Sequence, residues 1–414
     1  MLYQIHELNR SFLTPFTHWA AASSKFFSNP ASPLSYGPYS QKIAAAYELV
    51  YRLGKDYEKP QFNIDHVQND DQVIEVKEEK IIIKPFCTLV HFKKKALNTK
   101  STSRAPKQKK ILIVAPLSGH HATLLRDTVK SLLPLHDVYI TDWTDARMVP
   151  LSAGPFHLHD YIYYVQEFIR HLGPQLHVIS VCQPTVPVLA AISLMATEKD
   201  PALPCTMTMM GGPIDPRKSP TQVNNLATEK KFSWFENNVI YSVPPSYPGF
   251  ARKVYPGFLQ HAGFVAMNPD RHAQSHWDFY EHLVTGDDES AEQHRKFYDE
   301  YNAVLDLPAE YYLETIKTVF QEFRLPQGTW DVEGKRVKPQ DIRTVALFTV
   351  EGELDDISGA GQTRAAHDLC TGLPANMKEE YVAQGCGHYG IFSGRKWRDL
   401  ICPRVIDFIA RHSS

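Results

Sequence analysis

The sequence has no apolar run long enough to cross a bilayer. Its longest apolar stretch, VPVLAAISLMA, covers residues 186–196, whereas a transmembrane helix needs about 20 apolar residues. The first residues carry Glu7 and Arg10 where a secretory signal has an uncharged core, and no small-residue cleavage site follows. The sequence therefore predicts a chain without a transmembrane segment or a secretory signal, located in the cytoplasm.

Strong net charge and paired cysteines are also missing. The 44 Lys and Arg nearly balance the 46 Asp and Glu, for a formal net charge of -2, which predicts no general attraction to nucleic acid. The 6 cysteines lack CxxC spacing, and thiols in a large unsecreted chain stay reduced. No glycine-rich phosphate loop occurs, so we expect no nucleotide cofactor. One cysteine is thus available for chemistry.

Short apolar segments alternate with helical patterns along much of the chain. This alternation predicts an α/β fold with a doubly wound, mostly parallel sheet and helices on both faces. Residues 72–94 instead contain three short segments that are apolar or alternate between apolar and polar residues, which is typical of the antiparallel edge of a sheet. The segments predicted to be buried strands are ILIVAP (111–116), DVYITDW (137–143), LHVISV (176–181), CTMTMMGG (205–212), VALFTVEG (345–352) and EEYVAQG (379–385).

Two regions depart from this alternation. Residues 1–70 predict an N-terminal helical extension, and residues 215–340, which are mostly helical and rich in aromatic residues, predict a cap inserted between the two parts of the core, 71–214 and 341–414. Within the cap, DLPAEYYLETIKTVFQ predicts a helix with Asp306 as its N-cap.

A basic segment, residues 93–110, holds eight Lys and Arg and no acidic residue. Such runs are usually exposed connectors, and attraction to an anionic surface is the alternative. We expect an exposed loop between two strands.

The segment LHVISVCQPTVPVLAAISLMA predicts a strand, a nucleophile and a helix, which is the layout of a nucleophile elbow. In such an elbow Cys182 is raised above the sheet edge, and the backbone N–H of Gln183 helps to bind an oxyanion. Helix N-termini stabilise thiolates. The usual glycines of G-x-S-x-G are replaced by Ser180 and Pro184. A buried structural cysteine therefore stays open as an alternative for Cys182.

Chain order supplies an acid and a base. Hydrolases with such an elbow place the nucleophile first, then the acid and then the histidine. Asp355 follows the strand VALFTV, and His388 follows YVAQG between two glycines. His388 would accept the proton of Cys182, while Asp355 would fix its tautomer. Asp356 is the rival acid, and Asp355 is preferred because Gly352, Asp355 and Ile357 fit the turn pattern G-x-x-D-x-[IV].

The second oxyanion donor is expected in the loop after ILIVAP. Pro116 has no N–H, so the backbone of Leu117 or Ser118 is the candidate, and Gly119 allows a substrate to approach. Ser118 as a rival nucleophile is disfavoured, because it does not open the elbow helix.

Two groups of histidines resemble metal ligands, namely His120 with His121, and His157 with His159 and Asp160. Neither has the spacing of a known ligand set. Both groups are predicted to be hydrogen-bonded loop residues, and no metal is expected.

Long segments of the chain resemble the intracellular polyhydroxybutyrate depolymerases, which are α/β-hydrolases with a cysteine nucleophile. The same S-V-C-Q-P elbow occurs in that family. The segments that carry the resemblance are MLYQIHE, APLSGHHATLLRDTV, TDWTDARMVP, HVISVCQPTVPVLAAISLMA, TMMGGPID, NNVIY, YPGFLQHAGFVAMNPDRH, FYDEYNAVLDLPAEYYL, VEGELDDISGAGQT and GHYGIFSG.

This resemblance implies a Cys182–His388–Asp355 triad acting on amorphous poly(3-hydroxybutyrate) in cytoplasmic granules. The thiolate would form a 3-hydroxyacyl thioester that water hydrolyses to 3-hydroxybutyrate and short oligomers. Coenzyme A is an alternative acyl acceptor. An apolar polyester also accounts for the aromatic cap, whose Trp234, Phe258 and Trp277 are expected to bind substrate, with ordinary packing as the alternative.

Two rival functions stay open. A polyester synthase has a related cysteine elbow, usually G-x-C-x-G, and DLPAEYYLETIK resembles synthase sequence. A granule-coat protein without catalysis would use the N-terminal helices and the basic loop for adhesion, which the complete triad disfavours.

Overall fold

A nine-stranded sheet forms the centre of the computed structural model, which describes residues 2–69, 72–95 and 108–413. The order across the sheet is β1-β2-β3-β5-β4-β6-β7-β8-β9. The strands, in chain order, are β1 (His66–Asn69), β2 (Gln72–Ile83), β3 (Cys87–Lys94), β4 (Lys109–Val114), β5 (His136–Trp143), β6 (Leu176–Val181), β7 (Thr206–Met210), β8 (Ala346–Gly352) and β9 (Lys378–Ala383).

Strands β1, β2, β3 and β5 pair antiparallel, and the strands from β5 through β4 to β9 all pair parallel. Every residue of β6, β7 and β8 is buried. Parallel strands covered on both faces need apolar residues at successive positions, which explains the unbroken apolar runs. The α/β-hydrolase fold predicted from the sequence is confirmed.

Helices cover this sheet and fill the long connection between β7 and β8. Helix α3 packs with α14, and α4 packs with α5, as layers on an α/β sheet do. The helices are α1 (Leu2–Ser28), α2 (Ser40–Gly54), α3 (Arg126–Leu132), α4 (Leu158–Leu172), α5 (Thr185–Thr197), α6 (Gln222–Glu229), α7 (Phe232–Asn238), α8 (Gly257–Met267), α9 (Pro269–Thr285), α10 (Asp288–Tyr301), α11 (Ala309–Thr315), α12 (Ala365–Leu369), α13 (Gly394–Lys396) and α14 (Cys402–Arg411).

The predicted N-cap of the helix in DLPAEYYLETIKTVFQ is wrong. Helix α11 begins at Ala309 with Pro308 as its N-cap, and a π-helical turn, Ile316–Gln321, continues it. Asp306 has a different task, since its carboxylate accepts the N–H of Gly257 and the hydroxyl of Tyr3. A short antiparallel strand at Leu307–Pro308 draws Asp306 away from the helix end.

Buried carboxylates anchor helix α1 to the rest of the molecule. The Tyr3 hydroxyl lies 2.7 Å from Asp306, whose own N–H donates to Asp145 at 3.2 Å. Burial and the neighbouring Asp306 raise the pKa of Asp145 to about 7, while the guanidinium of Arg147, 2.9 Å from its carboxylate, opposes that rise. The N-terminal helix is thereby tied to residues from two other parts of the chain.

The centre of the basic segment, residues 96–107, lies outside the described residues, so its predicted exposure stays a prediction. None of the helices in the described ranges combines the length and the apolar character needed to cross a membrane.

Arg252 links the β7–β8 connection to the loop after β5. Its guanidinium is buried, donates to the carbonyls of Val149, Pro150 and Gly154, and lies over the ring of Phe86. Arg252→Ala leaves these carbonyls without their donor, so we expect a loss of about 3 kcal/mol in the free energy of unfolding.

Chemical denaturation measures this loss, with Arg336→Ala as the matched control. Arg336 is 43% exposed and pairs with Asp331 on the surface, and such pairs contribute at most about 1 kcal/mol. Equal stabilities of the two variants would contradict the anchoring role of Arg252.

Candidate active site

Cys182 occupies a strained turn between β6 and α5. Its φ is +67°, in the left-handed region, which costs a residue with a Cβ about 1–2 kcal/mol. Two backbone hydrogen bonds hold it there, because its N–H donates to Met210 at 2.7 Å and its carbonyl accepts from Thr185 at 3.1 Å. This is the backbone geometry of a nucleophile elbow, with a partly buried thiol at the turn.

Glycines of the neighbouring strand end give this turn its space. A Cβ on Gly212 would lie 2.5 Å from the carbonyl oxygen of Cys182 and 1.8 Å from Oγ1 of Thr185. A Cβ on Gly211 would lie 3.3 Å from Cε1 of His388. Gly212 therefore leaves room for the elbow backbone, and Gly211 leaves room for the ring of His388. In the sequence these residues are the GG pair after TMTMM.

His388 and Asp355 meet at the carboxyl edge of the sheet. Nδ1 of His388 lies 2.7 Å from Oδ2 of Asp355, and both side chains are buried. Oδ1 of Asp355 accepts the N–H groups of Ile357 and Ser358 at 2.9 and 2.8 Å. The rival Asp356 points elsewhere and accepts the side-chain amide of Asn268 at 2.9 Å. The histidine thus contacts Asp355 and not its neighbour.

The imidazole of His388 also hydrogen-bonds to the Cys182 side chain. Burial alone would lower the pKa of His388, but the charges of Asp355 and Cys182 and the hydrogen bonds to both raise it well above its ordinary value. A protonated imidazole between a carboxylate and a sulfur stabilises negative charge on that sulfur. The structure therefore brings Cys182, His388 and Asp355 together in one connected group.

A cavity of about 700 Å³ opens over Cys182 and His388. Its walls come from the loops after β4, β8 and β9, the elbow and the β7–β8 connection, and they are mostly apolar and aromatic. The aromatic lining consists of Phe235, Tyr255, Phe264, Tyr311, Tyr312, Phe320, Tyr389 and Phe392.

The three aromatic residues expected to bind substrate do not belong to the lining of this cavity. Trp234 packs edge-on against Phe235, and Phe258 packs on Tyr3 at 5.4 Å. Trp277 is 56% exposed and donates to Glu281 on its own helix. The cause is helix phase, because residues one or six positions apart on a helix face different directions.

The predicted oxyanion donors all border the cavity, namely Gln183, Leu117 and Ser118. In the described part of the chain, no backbone or side-chain acceptor takes the N–H of any of these three residues. The Tyr311 hydroxyl donates to Oε1 of Gln183 at 2.7 Å and fixes that side chain beside the elbow. Tyr311 could not be connected with the elbow from the sequence, because 128 residues separate it from Gln183.

His120 and His121 are buried, and burial lowers their pKa values to about 4 and about 3, so both are neutral near pH 7. His120 stacks on Phe264 in the cavity wall.

His157 and His159 form the other group. Their donor atoms and that of Glu314 lie within 4.8 Å of one another, which is close enough for a metal ion. Glu314 already bonds to Nδ1 of His157 at 2.6 Å and accepts the N–H of Leu158 at 2.8 Å. Glu314 therefore satisfies an N–H of the first turn of α4, and this part was missed from the sequence.

Comparisons with known proteins give a family and a set of similar folds. Residues 211–413, which include Asp355 and His388 but not Cys182, match the family described as PHB de-polymerase C-terminus. No curated protein matches the sequence significantly.

Several solved structures are similar to the chain. One is a monoacylglycerol lipase from Paleococcus ferrophilus (TM-score 0.44, 14% identity, 73% of this chain and 95% of that chain). Another is a thermophilic esterase from Thermogutta terrifontis (TM-score 0.40, 8% identity, 84% and 97%). A third is the carboxylesterase CesB (YbfK) from Bacillus subtilis (TM-score 0.39, 10% identity, 82% and 93%). Residues 211–413 of the chain belong to the family described as PHB de-polymerase C-terminus.

Proposed function

We propose that the chain is a polyhydroxybutyrate depolymerase that hydrolyses the amorphous polyester of cytoplasmic storage granules through a thioester on Cys182. One observation carries this proposal. The imidazole of His388 bonds to Asp355 and to Cys182 at once, beneath a largely aromatic cavity. The family match supports the coarser statement that the chain is an ester hydrolase.

In the first half-reaction, the Cys182 sulfur attacks the carbonyl carbon of a backbone ester. Negative charge moves to the carbonyl oxygen, which the N–H of Gln183 and that of Leu117 or Ser118 would stabilise. The ester C–O bond then breaks, and His388 gives its Nε2 proton to the departing alcohol oxygen. A 3-hydroxyacyl thioester and a shortened polymer result.

In the second half-reaction, His388 takes a proton from water, and the hydroxide formed attacks the thioester carbonyl. The C–S bond breaks, which frees the acid and restores the thiolate–imidazolium pair. Asp355 keeps the proton on Nδ1 throughout, so that Nε2 faces the sulfur and the water.

The cavity lining fits an uncharged chain of ester units. Phe235, Tyr255 and Phe264 offer apolar surface, and apolar walls with few polar groups are typical of sites for such ligands. The family match, and not the shape of the cavity, supports 3-hydroxybutyrate as the repeating unit of the substrate.

Purified protein incubated with native amorphous granules tests the proposed function. We expect 3-hydroxybutyrate and short oligomers to appear without coenzyme A. Product that forms solely with coenzyme A would make the reaction a thiolysis. Polymer gain and release of free coenzyme A from 3-hydroxybutyryl-CoA would identify a synthase.

Replacing the sulfur tests the nucleophile. We expect Cys182→Ala to lower kcat on granules and on soluble 3-hydroxybutyrate esters by roughly 10⁴-fold, because the proposed nucleophile of the acyl-enzyme is removed. Cys205→Ala is the matched control, since Cys205 is the other partly exposed thiol, and it should keep full activity. Alkylation should inactivate the wild type, and metal chelation should not. Undiminished hydrolysis by Cys182→Ala would contradict the assignment of Cys182 as the nucleophile.

The acid is tested by the pH dependence of thiol alkylation. Because Asp355 raises the pKa of His388, the imidazolium persists to higher pH, where it favours negative charge on a nearby sulfur. The rate at which iodoacetamide alkylates wild-type Cys182 is measured against pH. Asp355→Asn should move this reactivity to higher pH, and Asp356→Asn should not, as peptide mass spectrometry would measure. Identical profiles of the two variants would contradict the role of Asp355.

A further inference from the structure

Helix α1 exposes a continuous apolar stripe to solvent. The stripe consists of Ile5, Leu8, Phe12, Phe16, Trp19 and Phe26, which recur at spacings of three, four, four, three and seven residues and so share one face of the helix. Phe12 is 73% exposed, Phe16 68% and Trp19 59%. Single exposed apolar side chains are ordinary, whereas a contiguous patch of them marks an interaction site.

Two of the charged side chains of α1, those of Glu7 and Arg10, lie away from the stripe. Glu7 and Arg10 are partly buried and pair with each other, and Arg10 also pairs with Asp56, while Tyr247 contacts both. Within α1, all of whose residues the structure describes, Lys25 is the one exposed residue with a full charge. The charged residues Glu7 and Arg10 thus lie towards the protein, while the large apolar residues of the stripe lie in water.

We propose that this stripe is the docking surface for an uncharged apolar polymer surface, the polyester of the granule. The proposal rests on the proposed function. Its chemical basis is charge complementarity, because the stripe offers aromatic and aliphatic groups and no ionised partner for a charged surface. Helices that bind anionic membranes carry many Lys and Arg beside their apolar face, and α1 has a single exposed lysine.

The position of α1 suits this task. His6 stacks on Phe258 with ring centroids 4.0 Å apart, and Tyr3 contacts the same ring. Phe258 belongs to α8, and Phe264 of that helix forms part of the cavity wall over Cys182. Helix α8 therefore connects the N-terminal end of α1 with the cavity wall, and the Tyr3–Asp306 hydrogen bond fixes that end of α1. A protein held by the stripe keeps its cavity close to the polymer.

A triple variant, Phe12→Ser with Phe16→Ser and Trp19→Ser, tests the proposal in the full chain. Three measurements are made on it, namely cosedimentation with amorphous granules, hydrolysis of a soluble 3-hydroxybutyrate ester, and molecular mass by analytical ultracentrifugation. The matched control replaces three exposed apolar residues elsewhere, as Ile83→Ser, Leu135→Ser and Leu400→Ser. Equal thermal midpoints of the two variants and the wild type establish that each one is folded.

We expect the stripe variant to lose at least tenfold in granule binding and in polymer hydrolysis, with soluble-ester hydrolysis unchanged, while the control keeps all three. Binding undiminished in the stripe variant would overturn the docking surface. A wild-type dimer that the stripe variant converts to monomer would identify a second copy as the occupant. Wild-type protein that binds vesicles of anionic phospholipid but not granules would identify a membrane.

Failure of the proposed function has a different signature. Wild-type protein that sediments with granules through the stripe but releases no acid would leave the docking surface intact and remove the depolymerase. If the wild type and the stripe variant bind granules and release acid equally well, the docking surface is wrong and the depolymerase function stands.

Discussion

The left-handed backbone at Cys182 is the constraint on which the rest of the site depends. A φ of +67° is unfavourable for a residue with a side chain, and it persists because rigid elements hold both sides of the turn. Strand β6 is buried along its whole length, and Met210 at the end of β7 accepts the Cys182 N–H. Gly212 leaves the room that the turn needs. The sheet thus stores strain at one residue and raises its sulfur above the strand ends.

The same sheet edge supplies the charges that we propose to activate this sulfur. Asp355 follows β8 and His388 follows β9, so that neighbouring parallel strands deliver an acid and a base to one place. Burial would favour a neutral imidazole, yet the contacts with Asp355 and Cys182 outweigh it. A cavity with aromatic walls then keeps this charged group beside apolar surface, where electrostatic interactions are stronger than in water.

Much of the fold could be predicted because its signals are local. Continuous apolar runs identify strands buried on both faces, and the order of Cys182, Asp355 and His388 along the chain matches the order of strand ends. The aromatic lining could not be predicted in this way. Whether Trp234 or Phe235 faces the cavity depends on how a short helix is rotated about its axis. The amino-acid composition of the segment does not determine that rotation. Gly211, Tyr311 and Glu314 were missed because each acts on a residue distant in sequence, through contacts that only the fold creates. The choice of Asp355 over Asp356 rested on a turn pattern. In the structure, Asp355 is the one of the two that hydrogen-bonds to His388.

The central claim, a covalent thioester on Cys182, is tested most directly by trapping it. Granules or a 3-hydroxybutyrate oligomer are mixed with the enzyme, the reaction is quenched in acid within milliseconds to seconds, and the digested peptides are analysed by mass spectrometry. We predict a 3-hydroxybutyryl or short oligo(3-hydroxybutyryl) group on the peptide that contains Cys182, which hydroxylamine removes. An acyl group on Ser118 or Ser180, or turnover with no acylated peptide, would contradict it.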